Sequence, residues 1–507
     1  MNTRNIRCLA LALFTLLGAA VHIGIGKAQE TDGAFTPAIP KTWDDLVMPS
    51  LEIPPADTAV SRGHVSADYY YRIPVRPIYK SYPVYAPGKE PTGYQEWLEQ
   101  QEPEAVFDAS KLKTEADWIE AGEVVFDAPT FYDAVVRAAD VKDPLWHEKI
   151  GARAAKEGTL PYFRYVVREK GKVELGTISC AMCHTRVMTD GTVIKGAQGD
   201  FPFELAGVHV VKQRFTPERA RIFERSFFSA PWVKPDPIAA LDQTSLDQIA
   251  EWHAAIPPGV IARQGSSPFY PPQVPDLIGV KYSKYLDHTG LQLHRSIGDM
   301  MRYSALNQGA DLLASYGGLI PGARDLRTLP DPSTQRRYSD EQLYALALYL
   351  YSLKPPANPN KFDAAAARGQ EVFKREGCAV CHAPPLYTNN KLTPVDGFNV
   401  PSDHLKKYDI LPLSVGTDPA MALKTRRGTG YYKVPSLKGV WYRTPLEHNG
   451  SVATLEDWFD PRRLKDDYVP TGFRGAGVKA RAVKGHAFGL NLTAADRRDL
   501  ITYLKTL

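Results

Sequence analysis

Cysteine is scarce in this chain, with five in 507 residues. That is too few for a disulfide-dense scaffold. No sign of charge dominates: 61 basic residues face 57 acidic ones, for a formal net charge of +4. A nucleic-acid binder carries a larger or more local excess, so no nucleic-acid partner is expected. A membrane span takes about 20 apolar residues, and no segment after the N-terminus offers one. Low-complexity tracts are absent as well. The chain is 44% hydrophobic and 23% charged, which excludes a collagen and a wholly disordered chain. Its length allows two or three domains, each with its own core. Proline (41) and tyrosine (26) are abundant, which predicts irregular backbone between short helices.

The N-terminus has Arg4 and Arg7, then an apolar run from Cys8 to Val21, then Gly26-Lys27-Ala28 with small residues at −3 and −1 of a cleavage site. This is the layout of a secretory signal peptide over residues 1–28. An uncleaved anchor is the alternative, but the run is short for a span. The mature chain is therefore expected to be periplasmic or secreted, with no stable membrane insertion, and Cys8 is expected to leave with the signal.

The other four cysteines lie in Cys180-Ala181-Met182-Cys183-His184 and Cys378-Ala379-Val380-Cys381-His382. Both read C-x-x-C-H, the c-type haem attachment pattern. Two thiols one turn apart can each form a thioether to a haem vinyl group, and the adjacent His can ligate the iron. Three other readings compete: a zinc site of four thiolates, a thioredoxin-like redox pair, and plain disulfides. Zinc explains neither histidine, and no βαβ pattern surrounds either motif. The repeated His in an exported chain predicts two covalently bound haem c groups, with His184 and His382 as iron ligands.

The surroundings repeat too. G-x-x-V-F occurs at Gly122–Phe126 and at Gly369–Phe373, ahead of each motif. L-x-x-Y-L-x-x-L occurs at Leu346–Leu353 and at Leu500–Leu507, after each motif. Apolar positions at i, i+3, i+4 and i+7 mark one helix face, and Ser339 and Thr493 offer helix starts. Opening helix, C-x-x-C-H and closing helix thus occur twice in order. The fold predicted is mainly α: two tandem cytochrome c-type haem domains with long irregular insertions and an N-terminal extension. The domains run over 113–354 and 362–507. Residues 355–361 form a proline-rich linker, and 29–112 form a Pro/Tyr-rich extension. The first copy carries a Pro- and aromatic-containing insertion before Cys180 and more than 150 residues between His184 and its closing helix.

With these motifs, the chain resembles the bacterial di-haem cytochrome c peroxidase superfamily, which includes the methylamine-utilisation maturation enzyme. The segment Val434-Pro435-Ser436-Leu437-Lys438-Gly439-Val440-Trp441, followed by Thr444-Pro445-Leu446-Glu447-His448-Asn449-Gly450-Ser451-Val452, carries the resemblance. Tyr431-Tyr432-Lys433, Gly439-Val440-Trp441 and the long stretch between the motifs are most similar to the rubber-oxygenase branch. The resemblance covers roughly residues 113–507. It implies that the first haem reacts with peroxide or O2 and that the second relays electrons, capped on both faces. It places Leu306 near the open face of the first haem, where the rubber oxygenases carry a Phe; here the chain departs from that branch. It implies His448 as sixth ligand of the second haem. No inter-haem Trp matches securely. Calcium occurs between the domains in parts of the superfamily, but no carboxylate cluster allows one to be assigned here.

Six further histidines, His209, His253, His288, His294, His404 and His486, are candidates for a ligand or a distal acid/base, each with a structural alternative. His288 and His294 rank first because they precede the first closing helix. Arg295 and Arg302 sit nearby. A peroxidase needs a base for the peroxide proton and a polar group for the departing oxygen. His294, Arg295 and Leu306 are thus the candidate catalytic residues, although either arginine could equally pair a haem propionate. Met421, the one Met after residue 361, rivals His448. Lys424-Thr425-Arg426-Arg427 is expected to be a solvated loop, with a docking patch for an electron donor as the alternative. The predicted function is an exported di-haem oxidoreductase, peroxidase-like, with a small redox protein or organic substrate as electron donor. A haem-dependent dioxygenase cleaving C=C bonds and a di-haem electron carrier are the alternatives.

Overall fold

The computed structural model describes residues 35–507, apart from 135, 234, 235, 237, 310 and 326. The expected signal over 1–28 lies outside the described residues. Eight helices organise the fold. They are α1 (Glu115–Asp127), α2 (Phe203–Arg214), α3 (Pro217–Phe228), α4 (Leu246–Ala254), α5 (Ile297–Gln308), α6 (Asp340–Ser352), α7 (Ala364–Arg375) and α8 (Ala494–Lys505).

The duplication is a packing fact. α1 crosses α6, and α7 crosses α8. Each begins on a side-chain cap that satisfies free backbone N–H groups. Thr114 with Asp117 and Ser339 with Gln342 make capping boxes, while Asp363 and Thr493 accept from Ala366 and Asp496. Both crossings hinge on a glycine. A Cβ on Gly122 would strike the Ala345 carbonyl and the Tyr349 side chain; one on Gly369 would strike the Asp499 carbonyl and the Tyr503 side chain. The tyrosine is four residues after the carbonyl each time, so the register is the same. Phe126 meets Tyr349 at 5.3 Å between ring centres, and Phe373 meets Tyr503 at 5.5 Å.

Among the described residues helix exceeds strand, 34% against 13%, yet the first unit contains a sheet that its sequence did not announce. Strands β1 (Arg62–His64), β2 (Ser81–Tyr85), β3 (Phe131–Tyr132), β4 (Thr159–Glu169) and β5 (Lys172–Thr177) lie in its first part. Four form an antiparallel sheet in the order β2-β4-β5-β3. β4 buries Leu160, Tyr162, Phe163, Tyr165 and Val167 beside Met182 of the first motif. Such a doubly buried strand lacks clean alternation, and periodicity alone does not separate it from a buried helix. β5 ends three residues before Cys180 and so sets the position of the first motif.

The N-terminal segment belongs to the first core rather than standing apart as an extension. Trp43, Tyr70, Ile73 and Ile78 share one cluster with Trp118, Phe126, Leu343 and Leu346. Trp43 stacks on Tyr70 at 4.5 Å, and β1 pairs with Ala314–Tyr316. Its tyrosines and tryptophan supply apolar area that outweighs the irregular, proline-rich backbone.

The expected solvated basic loop is also buried. Arg426 is 1% exposed; it pairs with Asp311 at 2.5 Å and donates to the carbonyls of Ser226, Phe227 and Ser229. Arg427 pairs with Asp287 at 2.5 Å. These pairs tie the second unit to the insertion of the first, so the charges that suggested solvent are satisfied internally. Among the described residues, no helix is long and apolar enough to cross a membrane.

Candidate functional site

Each C-x-x-C-H motif forms a single tight turn. Ser179 caps the first by accepting from the Met182 N–H; Gly377, at φ 75°, opens the second. In both, the histidine N–H donates to the first cysteine's carbonyl at 2.9 Å, so two sulfurs and an imidazole project from one turn. All four thiols are unbridged. Among the described residues no three or more His, Cys, Asp or Glu converge into a metal-holding group, so the two pairs do not build a four-thiolate site. Burial pushes Cys180 and Cys183 up to about 12 and Cys378 to about 11. A thioredoxin-like pair needs the opposite shift. Two sulfurs and an imidazole on one turn are the donor set that a c-type haem attachment uses.

The histidines are held alike. His184 Nδ1 donates to the Pro275 carbonyl at 3.0 Å. His382 Nδ1 donates to the Pro435 carbonyl at 3.2 Å and lies 3.2 Å from that of Tyr387. A carbonyl only accepts, so Nδ1 bears the hydrogen and Nε2 presents a lone pair, the tautomer an iron requires. Neither Nε2 has a hydrogen-bond partner among the described residues. Burial brings His184 down to about 4 against the raising effect of the Pro275 bond, and burial lowers His382 too. Both are held neutral, as ligation demands.

The ring that faces His382 is His486. Their centres are 6.2 Å apart and their planes differ by 52°. An imidazole nitrogen binds a first-row metal at about 2 Å, with the ring centre roughly 1 Å behind, so two rings ligating one iron from opposite faces sit about 6 Å apart. His486 Nδ1 is buried without a partner, and burial drives the imidazole down to about 3. A glycine-rich loop holds it. The Gly485 backbone runs so close to Gly416 and Thr417 that a Cβ would collide, and the His486 N–H donates to Val415 at 2.6 Å. Arg463, 1% exposed, clamps the loop by donating to the carbonyls of Trp458, Val483, Gly485 and His486. Arg463 has no carboxylate partner among the described residues. A buried guanidinium bonded only to carbonyls is costly without an anion, and a haem propionate is one.

The structure places His448 elsewhere. Its Nδ1 lies 2.6 Å from Glu447 Oε1, its Nε2 is 3.1 Å from the Tyr432 hydroxyl, and its ring stacks on Tyr432 at 4.3 Å. Both nitrogens are engaged, so the expected ligand role has no free donor atom in this arrangement. Met421 is buried with Val395, Ala422 and Tyr432. His486 was among the histidines open to either role; its glycine-rich flanks, Gly485 and Gly489, were the sequence signal for a ligand loop.

The first motif is flanked by α5, which carries Leu306. Leu306 packs against the core that Cys180 also touches, and Gln308 Nε2 lies 3.9 Å from Cys180 Sγ. Arg263 donates to the Tyr303 hydroxyl at 3.2 Å and to the Asn307 side chain, and its charge adds to the lowering of His184. Among the described residues no ring faces His184 as His486 faces His382. The expected distal pair is occupied otherwise. His294 bonds the Ser283 carbonyl at 2.7 Å and the Tyr351 hydroxyl at 2.5 Å. Arg295 grips Asp299 through two nitrogens, at 2.8 and 3.1 Å. Arg302 holds the same Asp299 and the Lys41 carbonyl. Arg295, through Ser50, and Arg302, through Lys41, fasten α5 to the N-terminal segment, while His294 ties its approach to α6. Arg263, which sequence reasoning passed over, is the cation that the fold brings to the first site; no local pattern marks it.

No family model matches the chain. A curated protein of Sinorhizobium fredii (strain NBRC 101917 / NGR234), the uncharacterized protein y4iM, is 26% identical over an alignment covering 24% of this chain and 35% of that protein. The match spans about a third of that relative's length. Among solved structures, a chain of Kuenenia stuttgartiensis hydrazine synthase pressurized with 20 bar xenon is similar at 17% identity and a TM-score of 0.28, covering 59% of this chain and 92% of its own. A MauG-like protein associated with microbial copper homeostasis is similar at 18% identity and a TM-score of 0.29, covering 46% of this chain and 73% of its own. At these TM-scores the likenesses carry no argument about the site.

Proposed function

We propose that this chain is an exported di-haem c-type oxidoreductase of the peroxidase type, with two unlike haem sites. The observation that carries the reading is the contrast between His382, faced by His486, and His184, faced by no ring among the described residues. A bound haem supplies an iron that exchanges electrons and, where one face is open, takes peroxide or O2. In this chain Cys180, Cys183 and His184 hold the first group, and Cys378, Cys381 and His382 the second. His486, rather than His448, would hold the second group together with His382. Arg463 would supply the positive charge for a carboxylate of that group. Arg263, held by Tyr303 and Asn307 and paired with Asp287 at 3.5 Å, would be the polar group at the first site that stabilises negative charge on a departing oxygen. A small redox protein or an organic substrate supplies the electrons.

The test combines mass and spin state. The denatured mature protein should retain two haems. Its electron paramagnetic resonance should show one high-spin or cyanide-responsive ferric centre and one low-spin centre. His486→Ala should convert the low-spin centre to high spin, while His448→Ala should leave it low-spin. Two low-spin signals that ignore cyanide would replace the enzyme reading with the electron carrier. Loss of the low-spin signal only in His448→Ala would return the ligand role to His448.

A further inference from the structure

The two histidines that hold the haem irons are hydrogen-bonded to Pro275 and Pro435, and the chain segments ending in those prolines are stitched together. Gln273, buried, lies two residues before Pro275. Its carbonyl accepts from His288 Nε2 at 2.7 Å. The carbonyl of the same His288 accepts from the Lys433 N–H at 2.9 Å, and Lys433 lies two residues before Pro435. A second contact runs alongside. The Gln273 N–H donates to the His448 carbonyl at 2.7 Å, and the His448 ring stacks on Tyr432. From His184 to His382 the path is therefore closed. It runs through Pro275, Gln273, His288, Lys433 and Pro435, and every step is a covalent bond or a hydrogen bond of 3.2 Å or less.

We infer that His288 is the bridging residue through which the two haem sites exchange electrons, with the stacked His448–Tyr432 pair as a parallel contact. The inference rests on the di-haem reading above. The placement accounts for two histidines that sequence alone made candidates for distal or ligand roles: neither touches a site as a ligand, and both join the segments behind the proximal histidines. The transfer is simple to balance. One electron leaves one iron, which is oxidised by one unit, and arrives at the other, which is reduced by one; no proton moves and no covalent bond changes. His288 acts here as a positioning residue. Its Nε2–H and its carbonyl fix the spacing between the two segments whose prolines accept from His184 and His382.

The experiment is pulse radiolysis of the full mature protein, following how one injected electron redistributes between the two haems. His288→Phe removes the donor to Gln273 while keeping a ring of similar size. It should slow the redistribution about tenfold or more, the scale on which outer-shell partners act. His288→Gln can restore an N–H to the Gln273 carbonyl and should recover most of the rate; a purely structural role would not show this rescue. If His288→Phe does not accumulate, His288→Asn, too short to reach Gln273, replaces it with the same expectation. Unchanged redistribution in a His288 variant that retains two haems by mass overturns the bridge and leaves the di-haem reading standing. Fewer than two covalent haems in the wild type overturns both.

Discussion

The two halves of the molecule share one helix crossing and differ in nearly everything hung on it. α1 on α6 and α7 on α8 use the same glycine, the same phenylalanine–tyrosine contact and the same C-x-x-C-H turn. The second half places its opposing histidine, His486, on a loop of its own unit, reached through a compact segment. The first half spends its extra length on a sheet, on helices α2 to α4 and on α5, and brings Arg263 rather than an imidazole to its site. The crossing sets where the histidine of each C-x-x-C-H turn stands. The connections decide what faces it.

The largest expected effect concerns the insertion that only the first half has. Glu204 on α2, Glu224 on α3 and His253 on α4 meet in its interior: His253 Nδ1 is 2.5 Å from Glu204, and Nε2 is 2.9 Å from Glu224. His253→Phe should destabilise the protein by about 3–5 kcal/mol, the cost of leaving buried charge without its partner, as read by urea denaturation. Burial opposes the charged imidazole, but Glu224 and Glu204 outweigh it and raise His253 to about 10. An unfolded histidine titrates near pH 6.5. The stabilisation is therefore complete below about pH 6.5 and is lost as the pH rises through about 10. The wild type should lose stability across that window more steeply than His253→Phe. A flat profile would show that the three groups do not act as a charged unit.

The next effect tests the likeness of the halves directly. Gly122→Ala and Gly369→Ala should each cost about 1–3 kcal/mol, because the added methyl must push a helix backbone aside. The two losses should be similar, and a clear inequality in thermal unfolding would break the duplication as a packing equivalence.

The smallest effect sharpens the difference. Tyr503 bonds the Tyr387 hydroxyl at 3.0 Å, whereas the Tyr349 hydroxyl makes no hydrogen bond among the described residues. Tyr503→Phe should cost about 1 kcal/mol, and Tyr349→Phe should change little. Equal losses would mean that the closing helices are anchored alike.

Legibility followed the range of the interaction. The motifs, Ser339 and Thr493 as helix caps, and the paired opening and closing helices were all readable, because each depends on residues within a few positions of one another. The sheet before Cys180 was missed because β4 is buried on both faces and so lacks the alternation that marks a strand. The buried Arg426 was missed because its counter-charge, Asp311, lies 115 residues away. His294 and Arg295 looked available for chemistry only while Tyr351, Ser283 and Asp299 had not been seen to occupy them.

By itself the sequence determined where the two C-x-x-C-H turns stand, each behind an opening helix and ahead of a closing one. Those features are written in residues within a few positions of one another. Only the tertiary structure decided what faces each histidine. His486 reaches His382 across more than 100 residues of chain, and Arg263 reaches the first motif from a separate segment. His448, adjacent in sequence to the most recognisable segment, spends its nitrogens on Glu447 and Tyr432. A side chain can satisfy its polar atoms in several ways, and which way it takes depends on neighbours that folding alone brings within about 3 Å.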